Sequence, residues 1–267
     1  MQEENNYEAK DYRIPFEEYD RWMDYLKEYG FVVIANYLND PQEIDRYADS
    51  IWEIMETLSE GKLKKNDPST HSEKKNYPPL LHGGMIQYVG HSQVQWDLRK
   101  RCKPIFARIW NNDQLKSSFD GLCFMHGAQK FEKNPHNSFL HSDQSPIKNY
   151  LWSYQGIMTL SDAGENQGGY VCVPKTHKYH HKYFVDKGIQ KNKRDWYKVP
   201  AEDKFKEPLC YDQKINTKAG DFILFDSRTF HCNTVPIIDS LRICTYICMI
   251  PSKKVEPRIC EGRRKAV

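Results

Sequence analysis

The sequence has 267 residues, of which 39% are hydrophobic and 13% aromatic, too many for a disordered chain and enough for a core. Its 39 basic and 36 acidic residues leave a net charge of +3, which neither demands nor excludes an anionic partner. The N-terminus lacks the basic and apolar regions of a signal peptide, and no run approaches the ~18 apolar residues of a membrane span. We therefore expect a cytoplasmic protein with no membrane partner.

Helical patterns dominate the first part of the chain. Apolar residues recur every three or four positions over 15–29, and Gly30 is a typical helix stop. The run 31–35 predicts a short buried strand. Asp40 followed by Pro41 predicts the start of a second helix, because these residues suit the cap and the first helical position.

The second helix is expected to carry a capping box completed by Glu43 and to end at Gly61. A long polar loop follows over 62–79, and it is interpreted either as a surface excursion or as a lid over a pocket. A third helix is expected within 96–112.

The rest of the chain is typical of β-structure. Short apolar or alternating runs separated by turn residues predict strands of a sandwich or barrel. These runs are 121–126, 152–160, 169–173, 222–226 and 241–250. The region 178–209 has no clear period and is interpreted as an insertion. We expect one domain, with a mostly helical part over 1–112, a β core over 113–251 and a basic tail over 252–267.

Eight cysteines occur without a C-x-x-C pair, which argues against a zinc ribbon or a thioredoxin-type site. In a reducing compartment we expect them as thiols that pack like small hydrophobic side chains.

An H-x-D motif at His141 and Asp143 is the first sign of chemistry. On a strand, residues two apart point to the same face, so both side chains can reach one point. Alone this short motif means little. Downstream, His231 follows a strand over 222–226. Two histidines and one carboxylate are the usual ligands of non-haem Fe(II), and they leave positions open for a keto-acid and O2.

A keto-acid with a second, free carboxylate needs a cation near the metal. Arginine suits this partner because its planar fork pairs with a carboxylate through two hydrogen bonds. Arg242 begins the next strand after His231, where such a cation belongs.

An ordered set of short motifs spans roughly residues 30 to 251. They are Trp96-Asp97-Leu98-Arg99, Ser118-Phe119-Asp120-Gly121, His141-Ser142-Asp143-Gln144-Ser145, Gln155-Gly156, Gly168-Gly169-Tyr170, Pro174-Lys175-Thr176-His177-Lys178, Asp226-Ser227-Arg228-Thr229-Phe230-His231 and Arg242. In this order they resemble the phytanoyl-CoA dioxygenase (PhyH-like) family of Fe(II)/2-oxoglutarate oxygenases. The resemblance implies a mainly β fold with N-terminal helices around a double-stranded β-helix, a cupin-like jelly-roll core.

The resemblance also implies roles for single residues. It makes His141, Asp143 and His231 the catalytic iron ligands, and it makes Arg242 the anchor of 2-oxoglutarate, with O2 as the second co-substrate. Three further residues are expected to contact the co-substrate or to lie near Arg242: Gln155, Asn233 and Thr245. Where family members commonly show Pro-Gly-Ser-His, this chain has Pro-Lys-Thr-His at 174–177, which alters a turn and leaves the iron ligands intact.

The implied reaction is hydroxylation of a small-molecule or acyl substrate with release of succinate and CO2. Desaturation and ring closure remain open, whereas the carboxylate of Asp143 argues against halogenation. The family's branched fatty acyl-CoA substrate does not transfer to this chain. Two rivals remain: a non-catalytic jelly-roll binding module, and an oxygenase acting on nucleic acid or protein, for which there is no strong basic stripe. We expect a monomer.

Several other polar residues leave alternatives open. Arg228 is interpreted either as a substrate contact or as a structural partner of Asp226 or Asp120. Three histidines, His177, His180 and His181, are expected at surface or turn positions and not as metal ligands. The segment 82–91 is a candidate pocket wall, and the basic run 187–194 is either a solvated face or a collar for an anionic substrate.

Overall fold

The structure is a computed structural model. It describes residues 11–81, 83–129, 139–189, 195–200, 202–203, 212–255, 259 and 261–262. Most of the predicted basic tail lies outside these ranges, as do His82 and most of the basic run. Within the described part of the chain, no helix combines the length and apolar character that crossing a membrane requires.

Four α-helices are present: α1 (Tyr19–Tyr29), α2 (Pro41–Leu58), α3 (Gln93–Trp110) and α4 (Thr176–Asp186). Their starts and ends follow local chemistry. Gly30 ends α1 in the left-handed conformation, with φ of 84°. Asp40 caps α2 by accepting a 3.0 Å hydrogen bond from the backbone of Gln42. The predicted capping box is absent, because Glu43 accepts a hydrogen bond from the Tyr47 hydroxyl instead.

The strands are short and numerous. They are β1 (Arg13–Pro15), β2 (Phe31–Ala35), β3 (Met85–Ile86), β4 (Leu115–Ser117), β5 (Leu122–His126), β6 (His141–Ser142), β7 (Tyr154–Thr159), β8 (Gly169–Cys172), β9 (Tyr197–Lys198), β10 (Gln213–Ile215), β11 (Phe222–Asp226), β12 (His231–Thr234) and β13 (Leu241–Pro251). The predicted strands are confirmed. Apart from β8, the strands of two to four residues, β6 and β12 among them, were not predicted, because they are too short to show a period in the sequence.

Two sheets form the jelly roll. The larger has the order β1-β2-β11-β7-β13-β5-β3, with β4 added to β13. The smaller has the order β10-β8-β12-β6-β9. All pairs are antiparallel except β1 with β2. The predicted jelly-roll core is therefore confirmed.

The large sheet is covered on both faces, which explains its unbroken apolar runs. Along β2, Val32 and Ile34 join the core shared with the helices, while Phe31 and Val33 face the small sheet. The same alternation holds along β11. The core between the sheets also contains Tyr170 from β8, so this space positions the side chains of the site described below.

The predicted insertion over 178–209 is more regular than its sequence suggests, because it begins within α4. The expectation of surface or turn positions was wrong for His180 within it and for His177 directly before it. The His177 ring bonds the Lys27 carbonyl at 2.9 Å, and His180 is 1% exposed. His181, by contrast, is exposed. The sequence pattern hid this helix because its buried face combines Thr176, His177 and His180 with a single buried apolar side chain, Phe184.

Gly30→Ala is expected to lower the free energy of unfolding by about 2–4 kcal/mol, from left-handed backbone strain and overpacking together. A β-carbon there would lie 2.5 Å from the His177 Nδ1 atom and 2.6 Å from the Thr229 hydroxyl. Gly61→Ala is the matched control, because Gly61 also has a positive φ, 72°, but open space around it. It should cost only about 1–2 kcal/mol. Equal urea midpoints for the two variants would contradict this account.

Candidate metal centre

The three predicted ligands meet at one point between the sheets. His141 on β6 and His231 on β12 are register partners, and their ring centroids lie 4.3 Å apart. Asp143 follows β6, and its two oxygens lie 3.4 Å from the Nε2 atoms of His141 and His231, respectively. One ligand atom from each residue lies within 4.8 Å of the others, close enough for all three to bind one metal ion.

Backbone carbonyls fix the orientation of both imidazoles. Nδ1 of His141 donates to the Phe139 carbonyl at 3.0 Å, and Nδ1 of His231 donates to the Thr229 carbonyl at 2.9 Å. Because a carbonyl can only accept, the proton must reside on Nδ1 of each ring. The Nε2 lone pairs are therefore free to bind a metal, as is usual for histidine ligands.

Asp143 is ready to act as a carboxylate ligand. Burial raises the pKa of its carboxyl group, but the adjacent imidazoles of His141 and His231 outweigh burial and hold the pKa far below its usual range. The carboxylate is consequently ionised at any physiological pH.

The residues on either side of Asp143 are held by a buried network. His180 bonds the Ser142 hydroxyl and the Gln144 carbonyl, both at 3.0 Å. The Gln144 side-chain carbonyl accepts a 2.7 Å hydrogen bond from the Ser227 hydroxyl. The ligand loop is thus tied to α4 and to the segment before β12, so Asp143 keeps its position even though β6 is only two residues long.

A cavity of about 440 Å³ extends from the ligands into the space between the sheets. Its wall combines apolar and polar side chains, including Ile157, Phe225, Tyr170, Gln155, Asn233 and Tyr246. No described residue of the loop 62–79 lines it. Instead Leu63 and Tyr77 of that loop are buried against the helical side of the large sheet, so the lid interpretation is not supported.

Arg242 is 4% exposed and carries an unused donor. Its Nη2 atom donates to the Asn233 side-chain oxygen at 2.9 Å, and the Asn233 amide nitrogen donates to the Tyr246 hydroxyl at 3.1 Å. Nη1 has no hydrogen-bond acceptor among the described residues. Burial lowers the pKa of the guanidinium, but the neighbouring Cys123 and Cys244 outweigh it and keep the group charged.

Two residues that line the cavity also have buried polar atoms without a hydrogen-bond partner among the described residues. The side-chain oxygen of Gln155 and the hydroxyl of Tyr170 are buried without a hydrogen bond among the described residues. Such groups are rare in native proteins unless a ligand, ion or water completes them. Their concentration around one cavity, together with the free Nη1 of Arg242, indicates that the cavity accepts a polar ligand.

The structure brings Gln155 and Asn233 to the cavity, but it does not bring Thr245. Thr245 lies three residues from Arg242 on β13 and therefore points to the opposite face of the strand. Its hydroxyl bonds the Gln95 side chain on α3, and the residue is fully buried. The expected contact between Thr245 and the surroundings of Arg242 was wrong for this reason.

Tyr246 and Tyr170 were missed by the sequence analysis. Tyr246 stands four residues after Arg242 on the same strand, so the two-residue period alone would have predicted a shared face. Tyr170 is the register partner of Asn233 across the small sheet, a pairing that no sequence pattern predicts. The aromatic residue Trp196 also lines the cavity and follows a segment without periodicity.

Arg228 has a structural partner. Its guanidinium pairs with both oxygens of Asp226, at 2.9 and 2.7 Å, which is a partner that the structural alternative names. Met85 and Gln87 of the segment 82–91 line the cavity at the ligands, as expected of a pocket wall, whereas His91 lines a separate groove beside α2.

Comparison with known proteins places this arrangement in a family. A profile of the phytanoyl-CoA dioxygenase (PhyH) family matches residues 26–232, most of the chain. The chain belongs to that family.

Individual proteins with similar sequences or structures are distant relatives of this PhyH-family chain. Ava biosynthesis cluster protein O from Aspergillus versicolor is 26% identical over 262 residues, covering 94% of this chain and 83% of that protein. AviO1 from Streptomyces viridochromogenes Tue57 has a similar structure, with a TM-score of 0.55, 15% identity and coverage of 88% and 95%. The epimerase SnoN, in complex with Fe3+, alpha ketoglutarate and nogalamycin RO, has a TM-score of 0.55, 14% identity and coverage of 87% and 83%. At these identities the structural likeness shows a shared fold.

Proposed function

We propose that this chain is an Fe(II)/2-oxoglutarate-dependent dioxygenase that hydroxylates a small-molecule or acyl substrate and releases succinate and CO2. One observation carries the proposal. A two-histidine, one-carboxylate cluster opens into a cavity beside a buried arginine, Arg242, whose Nη1 atom lacks an acceptor among the described residues. A metal and an anionic co-substrate together account for both features.

The donor set fits iron. Two neutral imidazoles and one carboxylate on one side of an ion form the arrangement typical of non-haem Fe(II) oxygenases, with the remaining positions open. His141, Asp143 and His231 would hold the ion. When bound, the iron supplies the activation of O2 that drives oxidative decarboxylation of the keto-acid and oxidation of a C–H bond.

The cation and its neighbours fit 2-oxoglutarate. Arg242 can pair with the far carboxylate of the co-substrate, since charge-assisted hydrogen bonds from a guanidinium are strong and directional. Asn233 holds the guanidinium in place through Nη2, and the Tyr246 hydroxyl completes the chain of hydrogen bonds. Gln155 offers the cavity one more amide.

The rest of the cavity wall orients reactants and limits water. Ile157 and Phe225 are almost fully buried apolar side chains beside the ligands. They keep the reacting centre dry, which suppresses unproductive oxidation in oxygenases of this kind. The buried Tyr170 hydroxyl provides a hydrogen bond that is unused by the described residues.

The comparisons support the cofactors more strongly than the reaction. SnoN was crystallised with Fe3+ and alpha ketoglutarate, in the fold that this chain shares, and it is an epimerase. Hydroxylation is proposed here because Asp143 occupies the carboxylate position and the iron chemistry returns hydroxyl by default. A small-molecule substrate agrees with the cavity volume of about 440 Å³, which falls in the range of ligand pockets.

Succinate release tests the proposal against a non-catalytic binding module. Fe(II)-loaded protein is prepared without oxygen, mixed with 2-oxoglutarate, and then exposed to O2 in the absence of a prime substrate. Slow succinate formation is expected from the wild type and none from His141→Ala. If the wild type forms no succinate and does not bind 2-oxoglutarate, the binding module is the better description.

Asn233→Val and Thr245→Val form a matched pair for the co-substrate site. Asn233→Val removes the acceptor of the Arg242 Nη2 atom and should raise the Kd for 2-oxoglutarate by about tenfold or more. Thr245→Val acts on the opposite face of β13 and should leave this Kd within about twofold of the wild type, although it lowers stability. Calorimetric titration without O2 measures both. A larger effect from Thr245→Val would contradict the assignment of faces.

A further inference from the structure

Two aromatic side chains flank the metal ligands at the edge of the cavity. The Phe139 ring lies 5.1 Å and the Trp196 ring 5.7 Å from the ring of His141, measured between centroids. Both line the cavity, yet Phe139 is 41% and Trp196 38% exposed. Their rings lie 5.9 Å apart. We call this pair the aromatic shelf.

The backbone on either side of Trp196 is tied to the segment that carries the ligands. Trp196 directly precedes β9, and β9 pairs with β6 so that Tyr197 lies opposite Ser142. On the other side, both oxygens of Asp195 accept hydrogen bonds from the Lys148 ammonium at 2.9 Å. The backbone of Lys148 is in turn bonded by the buried Gln144 side chain at 2.7 Å. These contacts place Trp196 next to the strand that carries His141.

Two partly exposed aromatic side chains that line the cavity beside a predicted metal ligand can serve as a contact surface for a substrate. Aromatic side chains prefer offset or edge-to-face contact with other rings, and such contacts strengthen binding beyond what the buried area alone contributes. Binding energy in recognition sites concentrates on anchored aromatic residues of this kind. The shelf offers a flat apolar surface next to the point where the substrate must react.

We propose that the prime substrate carries a flat conjugated ring that stacks on Trp196, which makes Trp196 a specificity-determining residue. This inference rests on the proposed oxygenase function, because it assumes that the substrate approaches the metal at His141. A saturated chain, such as an acyl group, gains no such stacking energy on an indole face.

Three ten-carbon alcohols serve as probes: 2-naphthol, its saturated analogue decahydro-2-naphthol, and 1-decanol. Protein is loaded with Mn(II) and 2-oxoglutarate, and the Kd of each probe is measured by equilibrium dialysis. Paramagnetic relaxation of the probe protons by Mn(II) reports whether the bound probe lies near the metal. Because the saturated alcohols are the more hydrophobic, preferential binding of 2-naphthol cannot come from general hydrophobicity.

We expect 2-naphthol to bind the wild type about tenfold more tightly than either saturated probe, with strong relaxation of its ring protons. Trp196→Ala should abolish the preference, and Trp196→Phe should keep part of it. Tyr88→Ala is the control, because Tyr88 is an exposed aromatic residue of a separate groove, 82% accessible, and its loss should change nothing.

Equal binding of the three probes, tightest binding of 1-decanol, no measurable binding, or a preference that survives in Trp196→Ala would each overturn the proposal. Binding of Mn(II) and of 2-oxoglutarate is measured on the same samples. If the wild type binds neither Mn(II) nor 2-oxoglutarate, the proposed function itself is contradicted. If it binds both but shows no preference for 2-naphthol, only the proposal for the aromatic shelf is contradicted.

Discussion

Asp143→Ala and His231→Ala are each expected to reduce the affinity for Fe(II) by more than about a hundredfold, beyond the tenfold to hundredfold typical of losing an outer-sphere partner. Either change removes one of only three protein ligands and leaves two that cannot enclose an ion. Anaerobic equilibrium dialysis against Fe(II) measures the effect.

His181→Ala is the matched control for this first prediction. His181 lies on α4, close in sequence to the buried His180, but its side chain is exposed and outside the cluster. Its affinity for Fe(II) should equal that of the wild type. Tight binding retained by Asp143→Ala, or an equal loss in His181→Ala, would mean that the metal binds elsewhere.

Arg242→Met is expected to raise the Kd for 2-oxoglutarate by about thirtyfold or more, because removing one partner of a buried, hydrogen-bonded charge pair costs about 2–5 kcal/mol. Methionine keeps the length and apolar stem of the side chain, so the cavity keeps its shape. The substitution deletes the whole guanidinium, including the Nη1 donor that lacks an acceptor among the described residues and the Nη2 bond to Asn233. Calorimetric titration of the metal-loaded protein without O2 gives the Kd.

Arg228→Met is the matched control for Arg242→Met, because it shows what the loss of a partly buried arginine does to 2-oxoglutarate binding in general. Arg228 is also partly buried, but its guanidinium pairs with Asp226 through Nε and Nη2. The substitution should lower the free energy of unfolding by about 1–3 kcal/mol and leave the Kd for 2-oxoglutarate unchanged. If the two variants lost 2-oxoglutarate binding equally, Arg242 would have no special role in binding it.

The sequence predicts the parts of this molecule that depend on local rules. The stop at Gly30 and the cap at Asp40 are read directly, since each depends on one residue's own conformational preference. The long strands β5, β7, β11 and β13 are visible because burial on both faces requires unbroken apolar runs. The ligand set is predicted from motif order and a family resemblance.

The other features of the site depend on tertiary contacts, which the sequence pattern does not reveal. The strand β6 exists because His141 pairs across the sheet with His231, and a two-residue strand has no period of its own. His180 looks like a surface residue in sequence but is buried behind the ligand loop. Thr245 was misplaced for a simpler reason, because its odd spacing from Arg242 puts it on the other face of the strand.

The central claim, that this chain couples O2 to oxidative decarboxylation of 2-oxoglutarate, is tested most directly by isotope. Fe(II)-loaded wild-type protein is supplied with 2-oxoglutarate under ¹⁸O2, and the succinate is analysed by mass spectrometry. Our account predicts succinate that carries one ¹⁸O atom and is absent from Asp143→Ala. Unlabelled succinate from the wild type, or labelled succinate at equal yield from Asp143→Ala, would contradict it.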